Sequence, residues 1–196
     1  MAFTKYTAKN YDRLKGLQGI TDDQIAEHMK LYQGYVNRTN ALQEKLFELA
    51  KAGTFDSSFQ ELKRRAGWEW NGMRLHELYF DNMKAGATAL DDKNAFGAAA
   101  AKNFGSIDAW KTDLMNTAKM PGVGWVITYL DPANGQLLNQ WIEKHESGHM
   151  ATGKPVLVLD CWEHAFTVYR KPTERAKYLD DFFANVDWSV VASRLG

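Results

Sequence analysis

The sequence predicts an α+β protein in two parts, on three observations. Apolar residues recur at helical spacing from Thr21 to Met83. Three short apolar runs then follow, at 124–130, 136–141 and 156–159, the first two joined by a turn. Helical spacing returns from Thr173 to the end. Helices first, then a small antiparallel sheet flanked by helices, is an α+β arrangement rather than a run of βα units.

The elements follow in order. Residues 1–20 lack a clear period and read as an extended arm punctuated by glycine. Thr21-Asp22-Asp23-Gln24 has the capping-box pattern and starts a long helix to about Ala50. Phe55 to Ala66 reads as a second helix closed by Gly67. Asn71 caps a third, with Met73, His76, Phe80 and Met83 on one face. The small, weakly patterned segment 84–89 divides the chain into a first domain, 1–86, and a second, 87–196. In the second come short helices near 93–104 and 107–119, the latter capped by Ser106. Strands are expected at Gly124 to Leu130, Gln136 to Trp141 and Val156 to Leu159, with Asp131-Pro132-Ala133-Asn134-Gly135 as the turn between the first two.

Composition narrows the function. The chain has 196 residues, enough for one domain or two small ones with a real core. Lys plus Arg (24) balances Asp plus Glu (24), which disfavours nucleic acid as a partner. The start, Met1-Ala2-Phe3-Thr4-Lys5-Tyr6, lacks the apolar stretch of a signal peptide, and no apolar run approaches membrane-spanning length. A cytoplasmic protein that does not enter a membrane is expected. Cys161 is the single cysteine, so no intrachain disulfide forms. Nothing near it suggests an activated thiol, and it reads as a small buried hydrophobe.

The chemistry concentrates in Asp160-Cys161-Trp162-Glu163-His164-Ala165, directly after the apolar Val156-Leu157-Val158-Leu159. A strand end followed by one helical turn brings Asp160 and His164 to one side, where one cation can accept both. His76 sits on an otherwise core-facing stripe, and an imidazole there needs a partner. His28 lies on the long helix seven residues before Tyr35.

These six residues closely resemble the Asp-x-Trp-Glu-His-Ala signature of iron/manganese superoxide dismutases. The resemblance extends through Asn103-Phe104-Gly105-Ser106, Gly122-Val123-Gly124-Trp125, Arg175-Ala176-Lys177-Tyr178 and Val186-Asp187-Trp188, covering nearly the whole chain from about residue 20. It implies an N-terminal helical hairpin domain, a C-terminal domain with a three-stranded antiparallel sheet flanked by helices, and a metal between them. It implies disproportionation of superoxide, the small-molecule substrate, with one iron or manganese ion per subunit in a homodimer or higher homo-oligomer. It carries His76, Asp160 and His164 over as ligands, with Trp125 and Trp162 walling the cavity and Tyr35 at its entry. Glu163 would bridge to the final ligand His of the other subunit.

The chain departs from the family in three places. The first ligand usually stands eight residues before the Tyr, which here is Glu27. Seven residues of regular helix turn about 700°, so His28 and Tyr35 share a face, and His28 is the expected ligand. The family's His between ligand and Tyr, and its Tyr three residues after the last ligand, are replaced by Leu31 (or Tyr32) and Thr167. A variant with low or altered activity is therefore the alternative reading. Relatives place a Gln beside the metal-bound solvent, four residues before the second ligand or on the hairpin side. Here the first position is Gly72, and His145, fifteen residues before Asp160, is the expected solvent partner, with Gln140 as fallback. A His in this role favours iron over manganese. With net charge zero, steering of an anion falls to local cations such as Lys30, Arg38 or Arg170.

A rival motif uses the same histidine. His145-Glu146-Ser147-Gly148-His149 satisfies His-Glu-x-x-His, the zinc-peptidase pattern, which requires a helix. Ser147, Gly148 and the following Ala151-Thr152-Gly153-Lys154-Pro155 argue against that helix.

Overall fold

A computed structural model describes residues 3–196; Met1 and Ala2, the start of the expected arm, lie outside the described residues. Helix α1 (Asp22–Lys51) begins where the capping pattern places it, with the Thr21 side chain accepting from the Gln24 N–H. Gln24 does not close the box. Its side chain crosses the molecule, Nε2 donating to the His164 carbonyl and Oε1 accepting from the Val168 N–H.

The second and third expected helices are one continuous helix, α2 (Ser57–Asp81), capped by Asp56. Gly67 does not end it and Asn71 does not start a new one. A helix-interior Gly costs about 1 kcal/mol relative to Ala, but packing overrides propensity here. A Cβ at Gly67 would meet Glu146 at 3.5 Å, and one at Gly72 would lie 2.6 Å from the Tyr35 ring. At Gly72 the helix therefore keeps a small residue because the Tyr35 ring of α1 presses on it, whereas the contact at Gly67 is an ordinary one.

Helices α1 and α2 form an antiparallel hairpin. Contacts run in reverse order along them: His28 against Phe80, Tyr32 against Glu77, Tyr35 against Gly72 and Arg38 against Glu69. Two guanidiniums cap the C-terminal end of α2. Arg13 donates to the Phe80 and Met83 carbonyls, and Arg194 to those of Leu78 and Val156. Because Val156 lies in the sheet, Arg194 also fixes α2 against it.

Then come α3 (Ala95–Phe104) and α4 (Ile107–Ala118), the latter capped by Ser106 as expected. Strands β1 (Gly124–Leu130), β2 (Leu137–Glu143) and β3 (Lys154–Asp160) form an antiparallel sheet in the order β2-β1-β3. The central strand is buried on both faces, which explains its unbroken apolar run. Helices α5 (Arg175–Phe183) and α6 (Trp188–Ser193) close the chain. Among the described residues, no helix is long and apolar enough to cross a membrane. Cys161 is fully buried beside the Ala118 carbonyl, and burial pushes its thiol pKa far up, so it is the inert hydrophobe expected.

Candidate metal centre

Three segments deliver four side chains to one point. The hairpin supplies His28 and His76, and the end of β3 with the short 3-10 turn Glu163–Ala165 supplies Asp160 and His164. One donor atom from each lies within 4.8 Å of every other. Asp160 Oδ2 is 3.1 Å from His28 Nε2, 3.2 Å from His164 Nε2 and 3.8 Å from His76 Nε2. Its Oδ1 accepts from the Trp162 N–H, and Tyr178 donates to its carbonyl, so the carboxylate is held with one oxygen facing the imidazoles.

Local structure fixes the orientations. His76 Nδ1 donates to the Gly72 carbonyl one turn earlier, so Nε2 carries a lone pair. That Nε2 is buried and has no hydrogen-bond partner. An unpaired acceptor in a dry core is costly, and a cation among these four donors removes the cost. Asp160 is fully buried, which raises its pKa, but His164 and the bonds from His164 and His28 outweigh burial and hold the carboxyl well below its usual range. Burial also pushes His28 and His76 down, keeping them neutral and fit to coordinate.

His28 rather than Glu27 faces this cluster. His28 is buried, whereas Glu27, turned about 100° from it around α1, is exposed and pairs with Lys30. Tyr35 follows His28 along the same face, stacked obliquely on His76 with ring centroids 5.2 Å apart.

His145 enters beside them from the β2–β3 loop. Its Nδ1 accepts from the Trp125 indole at 3.0 Å, and its Nε2 lies 2.7 Å from the Tyr35 hydroxyl. An indole only donates, so the neutral imidazole carries its hydrogen on Nε2 and gives it to Tyr35. Burial lowers the His145 pKa to about 4, so the neutral form is the one at ordinary pH. Both nitrogens are thereby occupied within the protein. Gln140 turns its carboxamide to the Trp141 carbonyl. Trp68 and Trp162 pack on His145, with centroids 4.6 and 5.0 Å away, and Trp162 also stacks on His164. Trp125 and Trp162 thus both contact the His145 ring, the first through its indole N–H and the second through its face.

The zinc-peptidase motif is not assembled. Residues 144–148 form turns and bends, no helix reaches His149, Glu146 is exposed, and His149 Nε2 contacts the His145 carbonyl rather than sharing a point with its ring. The reason is local: Gly148 takes a left-handed φ of 94°, which a helix cannot contain.

Of the three cations expected near the entry, only Arg38 flanks Tyr35, its guanidinium 4.7 Å from the ring centre. Lys30 pairs with Glu27 and Arg170 with Asp181. Sequence reasoning missed Trp68, Arg65 and the buried Glu69 that ties Arg38 and Arg65 together. The signal was the spacing of Trp68, Gly72 and His76, four residues apart on one helix face, and it was hidden by ending a helix at Gly67.

Three converging imidazoles, two of them buried, with one buried carboxylate, set between a helical hairpin and a sheet end, define a metal-centre protein of the α+β class. The family model "Iron/manganese superoxide dismutases, C-terminal domain" matches residues 92–194, and the chain belongs to that family. It is 32% identical to the iron superoxide dismutase of Aquifex pyrophilus, over 99% of this chain and 92% of the relative. It is 35% identical to the iron enzyme of Cupriavidus metallidurans, over 91% and 89% of the two chains. With a manganese superoxide dismutase of Haloferax volcanii it shares 35% identity over 85% and 82%.

Proposed function

We propose that the chain disproportionates superoxide to dioxygen and hydrogen peroxide at one iron ion per subunit, held by His28, His76, Asp160 and His164. The observation that carries this reading is the buried, unpartnered Nε2 of His76 among three other converging donors. When bound, the ion supplies the one-electron oxidation of one superoxide and the one-electron reduction of a second, which takes up two protons. Iron is our choice because an imidazole, His145, stands against Tyr35, and because the two relatives above that cover more than nine-tenths of the chain are named for iron, while the manganese enzyme covers 85%.

The protein's own groups hold a proton and admit an anion. Burial pushes the Tyr35 phenol up to about 12, so it keeps its hydrogen at neutral pH. His145 donates to the Tyr35 oxygen, which leaves the phenolic O–H free to donate to reduced substrate. Arg38 over Tyr35 and Arg65 over Trp68 carry two charges against the one of Glu69, leaving a local positive surplus beside the aromatic wall. The four ligands come from both parts of the chain, 1–86 and 87–196, so the ion would tie the two parts together.

We infer a homodimer for the working form. Glu163, Thr167 and Val168 are exposed around His164, whose ring is itself 27% exposed. A ligand imidazole open to water on the face that carries Glu163 fits an interface that completes the site.

Metal content and superoxide consumption measured on one sample test the function. Stoichiometric iron with rapid consumption is expected. A fully loaded protein no faster than the free ion would overturn the proposal.

A further inference from the structure

We propose that His149 is a positioning residue for His145: together with Tyr129 it clamps the β2–β3 loop, so that the His145 imidazole stays locked between Trp125 and Tyr35. The inference rests on the dismutase reading only for its effect on turnover; the clamp itself stands on geometry.

Strand β1 carries Trp125 and Tyr129 four residues apart on one face. The loop carries His145 and His149, also four residues apart. Trp125 donates to Nδ1 of the first imidazole at 3.0 Å, and the Tyr129 hydroxyl lies 2.8 Å from Nδ1 of the second. His149 Nε2 is 2.7 Å from the His145 carbonyl, which can only accept, so Nε2 carries the hydrogen. In the neutral imidazole Nδ1 then accepts from Tyr129, whose phenol burial pushes up to about 12. Two donors of one strand thus hold two histidines of one loop, and the second histidine is bonded to the backbone of the first.

The loop needs such a bracket. Residues 144–153 contain no helix or strand, and two non-glycine residues, Lys144 (φ 61°) and Thr152 (φ 65°), stand in the left-handed region. Such a backbone persists only where its surroundings over-determine it. Tyr129 also packs on Gly153, where a Cβ would lie 2.9 Å from its ring, so the far end of the loop has no slack. His145 makes both ring bonds only if its Cα is fixed to within a fraction of an ångström. The spacing that imitates a zinc-peptidase motif serves this clamp.

The test uses the metal-loaded full chain with His149→Leu, His149→Gln and Tyr129→Phe. Leu removes both bonds; Gln can accept from Tyr129 and donate to the His145 carbonyl. Hydrogen–deuterium exchange of the 145–152 amides is read beside metal content, kcat and KM. In His149→Leu we expect unchanged metal content, exchange about 10-fold faster and kcat about 10-fold lower at constant KM. His149→Gln should restore both to within about threefold. A folded His149→Leu with wild-type exchange and kcat overturns the clamp, as does a Gln variant as impaired as the Leu one. If His149→Leu does not fold, Tyr129→Phe decides: faster loop exchange supports the clamp and unchanged exchange overturns it. Should loop exchange respond while even the wild type consumes no superoxide, the clamp stands and the dismutase reading falls.

Discussion

Gly72 and Tyr35 are complementary across the helical hairpin: the Tyr35 ring occupies the space a side chain at Gly72 would need, 2.6 Å from its ideal Cβ. The same Gly72 offers its carbonyl to His76 Nδ1 and so fixes which nitrogen faces Asp160. One residue therefore sets both the Tyr35 ring and the His76 tautomer. With Tyr35 in this place, a carboxamide at position 72 has no room. The polar partner of Tyr35 comes instead from the β2–β3 loop, as His145.

Gly72→Ala should accordingly destabilise, although Ala is the better helix former by about 1 kcal/mol. The added methyl meets a ring wedged between Gly72, His76 and His145, and overpacking of this kind costs about 1–3 kcal/mol. The displaced phenol would also lose its bond to His145. Urea denaturation, with turnover on the same samples, checks this. A variant more stable than wild type at full activity would show that the ring has room.

His28→Ala should abolish stoichiometric metal binding, whereas Glu27→Ala should leave it intact. His28 is buried and 3.1 Å from Asp160, while Glu27 is exposed and paired only with Lys30. Metal analysis after dialysis separates the two. The reverse pattern would mean that α1 is rotated by one residue from the arrangement described.

Chelation should lower Tm. Four donors from three segments converge, and without a cation the Asp160 carboxylate and the imidazoles of His28 and His76 remain buried together, His76 Nε2 unpaired. Scanning calorimetry of loaded and stripped protein, with metal loss confirmed, is the measurement. Identical transitions would remove any structural role for the ion.

Much of this site was legible because it is written at short range. Asp160 and His164 are four residues apart at a strand end, and His28 and Tyr35 are seven apart on a regular helix, so local periodicity aims each pair. What was not legible depends on distant neighbours. Gly67 reads as a helix stop, yet α2 runs through it without a break from Ser57 to Asp81. Gln24 reads as half of a capping box, yet its side chain serves the loop after His164. His145 was expected to face solvent at the metal, and nothing local reveals that Trp125 and Tyr35 take both its nitrogens. Continuity of a helix and the partner of a buried polar group are tertiary facts.

Stability of the chelated protein should fall as pH drops from about 6.5 towards 4. The His145 pKa is lowered by burial from its ordinary 6.5 to about 4 in the folded state. A depressed histidine favours folding while it is neutral in both states, above 6.5. Below that, the unfolded chain gains a proton the folded one resists until about 4, so stability is lost across this window. His28 and His76, also lowered by burial, add to the same slope. His145→Gln, which does not titrate, should flatten part of the dependence of Tm on pH. An unaltered slope would mean that His145 is already protonated in the fold.

The last prediction concerns assembly. His164 is the one member of the cluster that solvent reaches, and Glu163, Thr167 and Val168 stand exposed beside it. In an isologous dimer the same patch meets itself, so Glu163 of one protomer can reach His164 of the other. A carboxylate bonded to a ligand imidazole in a desolvated interface is worth more than an exposed ion pair, and losing one partner leaves the other buried without compensation. Leu31 is half-buried and apolar and Thr167 lacks the phenol of the family's Tyr, so the expected cross-contact is replaced, and Glu163 would carry more of such an interface. Sedimentation of wild type and Glu163→Ala should therefore show a dimer at micromolar concentration and a dimer weakened at least about 10-fold in the variant. A monomeric wild type would sink the interface, and a variant dimer as tight as wild type would take Glu163 out of it.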